Sequence, residues 1–343
     1  MRIPSESCHN SSDRVSTPTA VYCARVTVPQ ADLHVVSGKG GTGKTTVAAA
    51  LALALAAEGR RTLLMEVEGR QGIAQLFDVP PLPHAETRVA VAPEGGEVWA
   101  LAVDPEDALL DYLEIFYNLR RAGSALRKMG AIDFATTIAP GLRDVLLTGK
   151  AIEVVRRKDK GQGYDAVVLD APPTGRITAF LNVNTEVSGL ARMGPIHNHA
   201  ELVMSVIASP RTAVHLVTLL EEMPVQETLD GIQELREAHL PLGAILVNMV
   251  RRSSLDEDDL VRASSGLAIA EQLRSAGITR DTDAVAALLV DEARDLAQRL
   301  ALEDTERDRL ATTGLPVLEL PLLRGGVDLG GLFTLAAHLR GVS

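Results

Sequence analysis

Cysteine is almost absent: the 343 residues contain two, Cys8 and Cys23, both near the amino terminus. No disulfide framework can brace the fold, and no thiol site can lie inside it. A reducing cytoplasm is the compartment expected. Long apolar runs are missing too. The longest, Val47 to Ala57, is too short to span a bilayer and follows a glycine-rich loop directly, so a buried helix explains it and no integral membrane segment is expected. A basic surplus is also lacking. The net charge is −11, which argues against a broad footprint on a nucleic-acid backbone, so no nucleic-acid partner is expected. Only six of the 34 basic residues are lysines, yet two of the six, Lys39 and Lys44, fall in that one loop. Residues 1–30 are rich in Ser, Thr, Asn and Pro and have no continuous apolar stretch after their single early arginine, which argues against a secretory signal. They read as a disordered extension, or as the product of an upstream start codon.

What is present is a series of short β-rich runs: Leu33 to Val36, Thr62 to Val67, Val98 to Val103, Ala166 to Leu169, Ala213 to Leu219, Ala244 to Val247 and Val317 to Leu320. Helical patterns separate most of them, the signature of a parallel sheet covered on both faces. The fold class expected is therefore α/β, a three-layer αβα arrangement spanning residues 31–343. Two connections exceed a single crossover helix. Between Asp104 and Lys160 an apolar stripe (Leu109, Leu110, Leu113, Phe116, Leu119) precedes a break at Pro140-Gly141 and a second helix over Leu142 to Val155. The stretch from Ile177 to Ser209 is likewise long and apolar. Together, at about 105–160 and 177–210, they predict an inserted helical subdomain or, equally, helices that only extend the core. Residues Ser253 to Thr313 carry alternating acidic residues and arginines, with an amphipathic pattern over Ala284 to Leu310 that reads as a solvated helix face.

Gly38-Lys39-Gly40-Gly41-Thr42-Gly43-Lys44-Thr45-Thr46 satisfies the Walker A spacing and sits where its mechanism requires, after a β run and before an Ala/Leu helix. Glycines let the backbone wrap phosphate oxygens, and free N–H groups at the helix start add partial positive charge. In that chemistry Lys44 reaches the β and γ phosphates of ATP, and the Thr45 hydroxyl binds Mg²⁺. Tyr164 to Gly175 is an apolar strand ending in Asp170 and a Pro/Gly-rich loop, the Walker B arrangement, in which Asp170 holds a metal-bound water.

The second lysine, Lys39, marks the deviant Walker A class. From about Asp32 to Arg340 the chain resembles the ArsA/Get ATPases, as a bacterial, actinobacterial-type member, with more distant similarity to MinD and ParA. The resemblance implies a P-loop NTPase fold and a dimer, homodimeric or with a related ATPase. In such a dimer Lys39 crosses to the partner's phosphate and adds a cation at the developing negative charge. It further implies that Asn248 reads the adenine edge and that Pro321 and Leu322 pack on the base. The loop after Asp170 resembles switch II, and Ala139-Pro140-Gly141 the turn of the first helical insertion.

Departures qualify this. Where the family's switch I has Asp-Pro-Ala, this chain reads Glu66-Val-Glu68-Gly-Arg70, so Glu68 takes the place of the aspartate that orients the attacking water. Arg70 reads equally as a phosphate contact or a surface residue. The metalloid-binding and zinc-clip cysteines have no counterpart, which argues against arsenite transport. His197 and His199 have no third ligand in sight and read as a loop or core pair. Three functions are compatible: a Mg²⁺-dependent dimeric ATPase whose helical subdomain handles a protein or hydrophobic client, a MinD/ParA-like positioning ATPase, and a nonhydrolysing nucleotide-gated scaffold paired with a paralogue. The near-neutral carboxyl terminus, with Arg340 its one full positive charge, disfavours the second.

Overall fold

The computed structural model describes residues 28–110, 140–190, 195–251, 253, 255–266 and 269–341. Most of the amino-terminal extension, Leu113, Phe116 and Leu119 of the apolar stripe, and Ala139 lie outside the described residues.

Eight strands form one sheet: β1 (Leu33–Gly38), β2 (Arg61–Glu66), β3 (Thr87–Val91), β4 (Glu97–Ala102), β5 (Ala166–Asp170), β6 (Thr212–Thr218), β7 (Leu242–Val250) and β8 (Val317–Pro321). Their spatial order is β3-β4-β2-β5-β1-β6-β7-β8, and every pairing except β3 with β4 is parallel. The helices are α1 (Lys44–Ala56), α2 (Gly72–Leu76), α3 (Pro140–Arg157), α4 (Thr174–Leu190), α5 (Pro195–Ile207), α6 (Glu222–Glu237), α7 (Glu257–Ser265), α8 (Ile269–Ser275), α9 (Thr282–Ala311) and α10 (Leu329–Leu339).

Alternation along the strands divides the core. Leu33, Val35, Leu63, Met65, Val167, Leu169, Leu216 and Ile245 face α3, α4, α5, α6 and the end of α9. Val36, Leu64, Val168, Val217 and Leu246 face α1 and α10. With both faces covered, the inner strands are buried along their length, which is why they read as near-continuous apolar runs. The same logic explains α1. Its apolar residues surround the axis because the sheet lies on one side and α10 on the other.

The seven β runs of the sequence all fall in this sheet, and β3 is an eighth that they did not include. It is a short edge strand, half exposed, antiparallel to β4 and bulged between Arg88 and Ala90, with Arg88 bonded to Glu97 at 2.9 Å. A charged, irregular edge strand protects the sheet from pairing with another chain and weakens the strand's own apolar signal.

Candidate nucleotide site

The carboxyl ends of β1, β2, β5 and β7 converge, where ligands of open α/β sheets bind. β1 ends at Gly38, whose Cα lies so close to the Val217 carbonyl that a Cβ would strike it. The loop then turns through Gly41 and Gly43, at φ 91° and 83°, conformations that glycine alone adopts without strain. A side chain at Gly43 would also run into the Asn248 amide. Gly43 is the N-cap of α1 and supplies no side-chain cap, so the first N–H groups of the helix stay available. Thr42 donates to the Lys39 carbonyl at 2.9 Å and closes the loop on itself. Thr46 lies in the first turn of α1.

Thr45 and Asp170 are brought together: the threonine hydroxyl donates to Asp170 Oδ2 at 2.7 Å. Asp170 is 7% exposed, and its other oxygen, Oδ1, has no hydrogen-bond partner. Burial pushes this carboxyl up to about 6; Glu66 and Glu68 push the same way, while the Thr45 hydrogen bond and the Lys44 charge oppose. Glu66, at the end of β2, stands in register with Asp170 on the neighbouring strand and is 2% exposed. Its Oε2 accepts from the Ile73 N–H at 3.3 Å, and its Oε1 is buried without a partner. The Ser37 hydroxyl donates to the Pro172 carbonyl at 2.6 Å and fastens β1 to the loop after Asp170.

Glu68 lies beyond the end of β2, partly exposed, 3.7 Å from the exposed Arg70. Lys39 reaches Glu227 of α6, in its own chain, at 2.6 Å. Asn248 donates through Nδ2 to the Thr42 carbonyl at 2.9 Å, which leaves its second N–H and its Oδ1 for a base. Beside it opens a cavity of about 650 Å³ whose walls include Leu220, Asn248, Met249, Leu302 and Leu322. Pro321 ends β8 next to it, and the Leu322 N–H bonds the Val250 carbonyl at 2.9 Å.

Four contacts lie beyond the sequence reading: Glu66 with Ile73, Lys39 with Glu227, Arg143 with Val67 and Asp144 with Arg176. Glu66 carries a signal in the sequence, a carboxylate inside an otherwise apolar β run. Glu227 carries none. Nor does Arg143, which donates to the Val67 carbonyl at 3.3 Å while the adjacent Asp144 lies 3.5 Å from Arg176. The first turns of α3 thus touch the segments that follow both β2 and β5. His197 and His199 lie on α5, where His197 meets the Ser188 carbonyl at 3.2 Å and Glu201 at 3.3 Å.

The oxygen set suits a hydrated Mg²⁺ ion. Thr45, Asp170 and Glu66 offer hard donors, and two buried carboxylate oxygens want a partner. Among the described residues no cluster of three or more metal-binding side chains forms a closed cage. Mg²⁺ beside a phosphate keeps most of its waters and does not need one.

A mostly parallel sheet with a glycine loop between its central strand and α1 defines the P-loop NTPase class. Residues 32–210 match the family model of the anion-transporting ATPases, ArsA_ATPase. The chain is 53% identical over 312 residues to ATPase BagA of Mycobacterium tuberculosis, covering 90% of this chain and 92% of that one. It is 25% identical over 260 residues to ATPase GET3 of Kluyveromyces lactis, covering 65% and 73%. It is 24% identical over 253 residues to the arsenical pump-driving ATPase of Acidiphilium multivorum, covering 66% of this chain and 41% of that protein. The chain belongs to the ArsA/Get family of ATPases. Among the described residues no helix is long and apolar enough to cross a membrane.

Proposed function

We propose that the chain is a Mg²⁺-dependent ATP hydrolase that works as a nucleotide-gated dimer. The observation that carries this reading is the Thr45 to Asp170 hydrogen bond at the mouth of the Gly38 to Thr46 loop, with a buried Asp170 oxygen still unpartnered. In this reading the loop N–H groups and Lys44 hold the β and γ phosphates. Thr45 and Asp170 hold Mg²⁺, the aspartate through water. When bound, the ion would supply charge neutralisation to the phosphates during hydrolysis. Glu68 orients the attacking water, and Asn248, Pro321 and Leu322 receive the adenine in the cavity beside them.

Lys39 serves the partner subunit's nucleotide. Its pairing with Glu227 in the same chain is then the resting arrangement that dimer formation replaces. Nucleotide state passes to the helical layer through Arg143, on the Val67 carbonyl just before Glu68, and through Asp144, on Arg176 just after the Asp170 loop. The helices α3, α4 and α5 belong to the subdomain that handles a protein or hydrophobic client. Arsenite is disfavoured as cargo because no cysteine follows Cys23.

Steady-state phosphate release tests this. The wild type hydrolyses ATP when Mg²⁺ is supplied, and Lys44→Ala and Lys39→Ala abolish turnover. A Lys39→Ala protein that hydrolyses normally as a monomer overturns the dimer mechanism.

A further inference from the structure

We infer that Glu66 is part of the metal site, accepting hydrogen bonds from water on the Mg²⁺ ion beside Asp170. The inference rests on the nucleotide reading above and adds a residue to it. Glu66 and Asp170 are register partners at the carboxyl ends of adjacent parallel strands. Register partners share a face of the sheet, about 4.8 Å apart in backbone spacing. Both lie on the face that also carries Leu64 and Val168, under α1, whose second residue is Thr45. Glu66 Oε1 and Asp170 Oδ1 are both buried without a hydrogen-bond partner.

An anchor role alone does not account for this. Glu66 Oε2 accepts from the Ile73 N–H and so fixes the start of α2 behind Glu68. A glutamine would serve that bond equally well, with no charge to bury. Two adjacent buried carboxylates, each with an oxygen left unpartnered, are instead what a divalent ion with its waters would satisfy. Glu66 then has a hand on each side. One oxygen senses the ion and the other holds the helix that follows Glu68.

The test uses the full chain with ADP, titrated with Mn²⁺ in place of Mg²⁺, and free Mn²⁺ counted by electron paramagnetic resonance. Glu66→Gln keeps the acceptor for Ile73 and removes the charge. The expected result is a loss of about 10- to 100-fold in Mn²⁺ affinity of the ADP complex, with metal-free ADP affinity unchanged. An unchanged Mn²⁺ affinity in Glu66→Gln overturns the inference. If that variant melts early, Glu66→Asp decides, because it keeps the charge but withdraws it from the ion. Weaker Mn²⁺ binding then supports the inference, and wild-type binding overturns it. Failure of the wild type to bind ADP at all overturns the underlying nucleotide reading, whereas tight Mn-ADP binding indifferent to Glu66 overturns this inference alone.

Discussion

Asp170 carries its carboxylate where water scarcely reaches, and the consequence is measurable in the metal-free protein. Its folded pKa, about 6, lies above the value of about 3.9 in an unfolded chain. Between those values the folded chain holds a proton that the unfolded chain has lost, so this group makes stability fall as pH rises from about 4 to 6. Asp170→Asn should abolish that slope and make the metal-free protein more resistant to urea at pH 7 than the wild type. It should also lose Mg²⁺-dependent tightening of nucleotide binding. Urea melts at pH 5 and pH 7, with and without Mg-ADP, check both halves. A second residue-scale expectation concerns Gly43. A side chain there meets the Asn248 amide at a backbone angle that only glycine adopts freely, so Gly43→Ala should remove nucleotide binding while leaving the sheet folded, read by calorimetry and circular dichroism.

Between elements, the contacts that matter most were the least legible beforehand. The glycine loop and Asp170 could be read because each is contiguous: a β run, a turn and a helix in one case, a strand and its last carboxylate in the other. Arg143 with Val67, Asp144 with Arg176, and Lys39 with Glu227 are tertiary meetings of distant segments, and no local pattern announces them. β3 escaped for a related reason, since Thr87 to Val91 lies between prolines, is half exposed and is bulged. The sheet also hides a histidine pair. The Ala244 N–H donates to His215 Nδ1, His215 Nε2 bonds His34 Nδ1 at 3.0 Å, and His34 Nε2 donates to the Ala31 carbonyl, a chain complete with both rings neutral. Burial pushes His34 down to about 4 and holds His215 well below the ordinary histidine range. An unfolded histidine titrates near about 6.5, so the pair stabilises the protein above that pH, and the contribution is lost as pH falls toward 4. This slope opposes that of Asp170, so Asp170→Asn is the background in which to see it. There, urea melts should show lower stability at pH 5 than at pH 7, and His34→Leu/His215→Leu, though weaker overall, should show no such difference.

For the whole molecule, the pairing of Lys39 with Glu227 sets an energy that dimer formation must exceed. A part-exposed ion pair contributes about 0.2–1 kcal/mol and a homodimer gives up two of them, so Glu227→Gln should shift the ATP-dependent monomer to dimer midpoint to lower protein concentration, by at most about 30-fold. Sedimentation velocity across a concentration series reads this directly. Coupling to the helical layer is tested by Arg143→Ala, which should leave ADP affinity intact while lowering turnover by up to about 100-fold, the scale of a misplaced positioning contact. Both changes act through the loop from Gly38 to Thr46, which holds a nucleotide with its magnesium in the proposed function. Isothermal titration of ADP into the full chain, with and without Mg²⁺, is the most direct test. The account predicts saturable one-to-one binding that Mg²⁺ tightens and that Lys44→Ala abolishes; binding that Lys44→Ala leaves unaltered, or no binding at all, would contradict it.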